Sequence, residues 1–130
     1  MATWNDLCKY VRANYKIMKE DDHSIMMGFA YEDGRSQVVF LWKMVLNDGT
    51  EEWVQIESPI GEFSEKNVAA VVRAAEKSVV GGIGCSGDLI TYRHAVPLLN
   101  LDMNEFLRPL RLVTISADQF EKQVFGADKY

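Results

Sequence analysis

At 130 residues, 48% of them hydrophobic, the chain is long enough for one domain, 1–130, that buries roughly two-thirds of its unfolded surface, and no stretch approaches the ~20 apolar residues of a membrane-spanning helix. A formal charge of −5 argues against nonspecific nucleic-acid binding, which needs clustered Lys and Arg, and suits a basic or amphipathic polypeptide partner. The first residues contain neither a basic segment nor an apolar signal core, so a cytoplasmic location is expected.

In chain order, Trp4, Leu7, Cys8, Val11, Tyr15 and Met18 recur at three- and four-residue steps and predict a helix from Trp4 to Met18, with Thr3 or Asn5 as its cap. Glu20-Asp21-Asp22-His23 lacks the alternating spacing and glycine of a calcium loop and reads as a solvated junction. Three strands are expected between Ile25 and Glu57. Asp33-Gly34 favours a two-residue hairpin loop that pairs Glu32 with Arg35, and Asn47-Asp48-Gly49 a three-residue loop that pairs Leu46 with Thr50. Pro59 and Gly61 close the third strand. Ser64 caps a second helix reaching about Lys77, with an apolar stripe of Val68, Val71, Val72 and Ala75. Val79–Ser86 and Leu89–Val96 read as two more strands around Gly87-Asp88. Asp102 and Glu105 then form a capping box for a last helix along Phe106, Leu110, Val113, Ala117, Phe120 and Val124, stopped by Gly126. Pro109 is expected to kink it.

The two loops set a register in which Met27 faces Phe40, Ile25 faces Trp42 and Trp42 faces Val54. Phe40, Trp42 and Met44 then belong to the core, while Met26, Gly28, Ala30, Val39, Leu41, Val45 and Trp53 line the opposite face. The alternative register, with Trp42 against Gln55 and Phe40 against Glu57, mixes a carboxylate with the core. The opposite face is too apolar for a wet surface, so it is either covered by a second layer or is a binding surface. Met26, Val39, Leu41, Val45 and Trp53 are the residues expected to meet a partner.

The motifs that suggest chemistry are weak. Gly82-Ile-Gly84-Cys-Ser-Gly87 matches a dinucleotide fingerprint in form, but it follows a helix and runs into a strand, the reverse of what a pyrophosphate site needs. Cys85 and His94 lack an orienting third group, and His94 shares a strand face with Ile90, Tyr92 and Val96. Cys8 and Cys85 give no disulfide or metal spacing and read as buried small hydrophobes. Glu51 and Glu52 point to opposite faces, and Asp118 with Lys122 reads as an exposed helical ion pair. No catalytic set, cofactor or metal is expected.

Helix, three strands, helix, two strands, helix is the order of an α+β domain with a mainly antiparallel five-stranded sheet packed with helices. That order, the strand Leu89-Ile-Thr-Tyr-Arg-His-Ala-Val-Pro-Leu98 and the final Ala117-Asp118-Gln-Phe-Glu together resemble the YbjN-like domains and the type III secretion chaperone fold, over nearly the whole chain. The resemblance implies a noncatalytic, usually dimeric, cytoplasmic protein that holds an extended segment of a secreted or stress-related protein on an apolar sheet face. Two further readings stay open: a small-molecule sensor or enzyme with a pocket near Tyr92 and His94, and a structural subunit of a larger assembly.

Overall fold

The first helix ends earlier than its apolar spacing predicts. In the computed structural model, which describes residues 2–126 and 128–130, α1 spans Trp4–Asn14. Thr3 caps it: its hydroxyl accepts from the Asp6 N–H at 3.2 Å, and the Asp6 carboxylate accepts from the Thr3 N–H. At the other end the Asn14 amide donates to the Tyr10 carbonyl at 2.9 Å, and Tyr15 is already extended. Ile17–Glu20 is therefore a strand, β1, absent from the sequence expectation. The spacing of Tyr15 and Met18 fits either state. Pairing of Ile17 with Met27 and Lys19 with Met26 satisfies the outer backbone groups of the next strand, which favours the extended form.

There follow β2 (Ser24–Ala30), β3 (Ser36–Leu46), β4 (Glu51–Glu62), α2 (Glu65–Ala74), β5 (Gly82–Ser86), β6 (Leu89–Pro97) and α3 (Met103–Phe120). Among the described residues the fold is α+β with a six-stranded sheet, one strand more than expected, in the order β1-β2-β3-β4-β6-β5. Every neighbouring pair is antiparallel.

Both hairpin registers differ from the expectation by one residue, in opposite senses. At the first link Tyr31, not Glu32, closes the loop. Its N–H donates to the Arg35 carbonyl at 2.8 Å, and the intervening Gly34 takes φ +84. This is a three-residue loop with glycine in the left-handed region, and it sets Met27 against Val39 and Ile25 against Leu41. At the second link Asp48 and Gly49 have φ 53 and 87, and the Thr50 N–H donates to the Asn47 carbonyl at 3.1 Å. Positive φ at both central positions is what a tight primed turn requires. Trp42 consequently pairs with Gln55 and Phe40 with Glu57. The two slips cancel for β2 and β4, which keep their expected faces, and turn β3 alone upside down.

The helices share one side of the sheet. Leu7 and Val11 of α1, Val71 of α2, and Phe106, Val113 and Ala117 of α3 form one buried cluster with the inward residues of β2, β3, β4 and β6. Each buried Leu, Val and Phe side chain contributes about 1.5–3 kcal/mol. The capping box at Asp102 and Glu105 forms as predicted, with bonds of 2.9 and 3.1 Å. The helix runs through Pro109 without a break, and the proline leaves the Glu105 carbonyl without its intrahelical donor. α3 then widens into a π-helical turn, Glu121–Phe125, which Gly126 ends in the left-handed conformation. Strand β4 also continues past its expected end, through a bulge at Pro59 and Gly61. The Phe125 ring lies where a Cβ on Gly61 would be, which explains the glycine.

Candidate functional site

Residues of β2, β3 and β4 that point away from the helices form an apolar and aromatic band on the side of the sheet that the helices leave open. Met26, Val38, Phe40, Trp42 and Trp53 are half-buried there and Met44 is exposed, and none of them joins the cluster made by the helices. The Phe40 and Trp42 rings stack at 5.4 Å between centroids and 11° between planes. Met18 of β1 leans over the sheet at Gly28, where a Cβ would stand 3.0 Å from its sulfur.

One carboxylate sits within this apolar band. Glu57 is 4% exposed and accepts from Trp42 Nε1 at 2.9 Å, Thr91 Oγ1 at 2.8 Å and Arg93 Nη2 at 2.6 Å. Charge-assisted bonds of this kind are the strong ones, and they offset the cost of removing Glu57 from water. The Arg93 guanidinium also lies over β5, on the other side of β6 from Glu57, where the same Nη2 donates to the Cys85 carbonyl at 2.7 Å. A Cβ on Gly84 would overlap the guanidinium. Gly82 and Gly84 thus belong to an edge strand that is closely approached at Gly84, and they run into β6 rather than into a helix start that could hold a phosphate.

Of the five residues expected to face a partner, Met26 and Trp53 lie on this open face. Val39 and Leu41 do not: both are fully buried beneath the helices, because β3 is turned over. Val45 points to the helix side at the tip of the hairpin, beyond the helices, and is 47% exposed. Phe40, Trp42 and Met44 take the vacated positions. The signal that could have found them is on β6, where Thr91 and Arg93 share a face and can satisfy Glu57, removing the objection to the correct register.

The other sequence candidates disperse. Tyr92 is fully buried and its hydroxyl donates to the Val80 carbonyl at 2.6 Å, while His94 opens on a separate shallow depression beside the first turns of α3. Cys85 is exposed, not buried as expected, because β5 is an edge strand. It pairs with Ile90, so about 13 Å of strand separates it from His94. Cys8 is in the core, and burial pushes its thiol pKa up. Asp21, Asp22 and His23 form the exposed β1–β2 turn, in which the His23 N–H donates to Asp21 at 2.8 Å.

Asp118 pairs with Arg35 at 2.9 Å, not with Lys122. The Arg35 guanidinium also stands 3.6 Å from Glu121 and 3.9 Å from Asp128. These three carboxylates are close enough together to hold a metal ion, but the guanidinium already supplies a cation among them. Glu121 is 1% exposed and accepts the N–H groups of Lys129 and Tyr130. Burial raises its pKa above the usual carboxylate value, against those bonds and Arg35.

A second concavity, of about 750 Å³, lies on the helix side between α3 and the end of β2. Tyr15, Phe29 and Tyr31 line one wall, with Tyr15 and Phe29 edge to face at 5.8 Å. The Tyr31 hydroxyl is buried and has no hydrogen-bond partner, which costs about 1–3 kcal/mol. Its pKa is pushed up to about 12, first by burial and then by the charges of Asp118 and Asp33. No protein-family model, curated protein or solved structure matches this chain.

Proposed function

We propose that this chain is a noncatalytic protein- or peptide-binding domain of the YbjN-like or secretion-chaperone type, which holds an apolar partner segment on its helix-free sheet face. The observation that carries this reading is the band of Met26, Phe40, Trp42, Met44 and Trp53, apolar and aromatic yet outside the buried cluster. Contiguous apolar surface of this kind marks contact sites, and half-buried aromatic residues are the usual anchors in them. The chain's negative charge favours a segment that alternates apolar with basic residues. A cytoplasmic location and a dimeric state belong to the same proposal.

Its tryptophans report on the face directly. Trp4 is 4% exposed in the core, while Trp42 and Trp53 lie on the open face. Titration with short peptides that alternate apolar and basic residues should blue-shift the emission and protect it from acrylamide. The double variant Phe40→Ser, Trp53→Ser should lose this response and keep its circular dichroism spectrum. Emission and quenching that no such peptide alters, in a chain that stays monomeric, would rule the face out as a binding surface.

A further inference from the structure

We infer that the groove between α3 and β2 binds a single-chain amphiphilic carboxylate of the fatty-acid type, independently of the partner site proposed on the other side of the sheet. The groove is long and one-sided. Its α3 wall runs from Leu107 to Lys122, about 22 Å of helix, and its opposite wall is aromatic. An elongated, largely apolar trough suits a linear hydrocarbon better than a compact polar metabolite.

Two groups fix the polarity of the occupant. The Tyr31 hydroxyl is buried, lacks a partner and stays protonated at neutral pH, so it is a donor awaiting an acceptor. Lys122 lines the same groove and, like Arg111, has no salt-bridge partner among the described residues. Of the acidic groups nearby, Asp118 is paired with the Arg35 guanidinium, while Asp33, an exposed carboxylate, accepts the Arg35 N–H at 3.0 Å. The carboxylate accepts from Tyr31 and faces Lys122, and the tail lies over Phe29 and Tyr15 toward Leu107. Arg111, eleven residues before Lys122 and about 16 Å along the same helix face, lays its stem over the tail.

Isothermal titration calorimetry of the full chain with sodium dodecanoate, dodecanol and dodecylammonium tests this. Dodecanoate should bind saturably at one site, more tightly than the alcohol and far more tightly than the amine. Tyr31→Phe and Lys122→Ala should each weaken it about fivefold to tenfold, and Arg111→Ala by less. Phe40→Ser, on the open face, should leave it unchanged, which separates failure of this inference from failure of the peptide-binding proposal. Absence of saturable binding, equal binding of dodecylammonium, or wild-type affinity in both Tyr31→Phe and Lys122→Ala would overturn the assignment. So would Lys122-dependent adsorption to phosphatidylglycerol vesicles without binding of the free acid, which would make the ligand a bilayer lipid.

Discussion

The two faces of the sheet are similarly apolar but are finished differently. Toward the helices β3 presents Val39 and Leu41, compact side chains that disappear completely into the buried cluster. Away from them it presents Phe40 and Trp42, larger rings that stack on each other and stay partly in solvent. Hydrophobicity alone therefore does not tell which face is covered; the fit of side-chain bulk under a helix layer does. The largest expected effect follows. Leu41→Ala should cost about 2–5 kcal/mol of stability in urea unfolding, as deletion of fully buried leucine side chains does, whereas Phe40→Ala should cost less, about 0.5–1.5 kcal/mol for the lost ring stacking and a further share for the part of the ring that is buried. Equal losses at the two positions would mean that the open face is closed in solution, as by a second copy of the chain.

The polar groups sharpen the same contrast. On the open face Glu57 has three side-chain donors from β3 and β6, so Glu57→Ala strands all three at once. We expect a loss of about 1–3 kcal/mol, held to the lower part by the partial exposure of Arg93. Thr91→Val should cost less than Glu57→Ala, since two donors to the carboxylate remain. If Glu57→Ala were neutral, the carboxylate would be solvated and the open face wetter than its geometry implies.

That carboxylate also marks where the sequence was legible and where it was not. Capping residues, the Gly126 stop, the strands β2 to β4 and the last helix follow from local chemistry that a few neighbouring residues determine. The register of β3 depends on two loops together. Asp33-Gly34 supports either a two- or a three-residue loop and Asn47-Asp48-Gly49 is equally permissive, so local turn preference leaves a one-residue choice at each link. Apolar pattern then decides wrongly, because Glu57 looks misplaced until Arg93 and Thr91, more than thirty residues away in the chain, are set beside it. The strand at Ile17–Glu20 was hidden for a related reason: its pairing with β2 is tertiary, while its spacing continues a helical stripe. Of the candidate face, Met26 and Trp53 were legible because β2 and β4 do not turn over; Phe40, Trp42 and Met44 were not.

Glu121 gives the smallest effect and the counterpart of Glu57 on the helix side. Both carboxylates are buried, but Glu121 accepts two backbone N–H groups and only a longer contact from Arg35, and burial outweighs them in raising its pKa. A carboxylate whose folded pKa lies above its unfolded value near 4.5 binds protons more tightly in the folded state. Stability must therefore fall as pH rises from the unfolded pKa to the folded one, and stay level above it. Glu121→Gln keeps an oxygen for the Lys129 and Tyr130 N–H groups but cannot ionise. Its stability relative to the wild type should therefore increase as pH is raised from 4 to 7 in urea unfolding, by less than the loss at Leu41→Ala. The opposite slope, with the wild type gaining on the variant as pH rises, would show that Arg35 governs Glu121 more strongly than burial does. Arg35 would then be a clamp on the α3 end that needs all its carboxylates ionised.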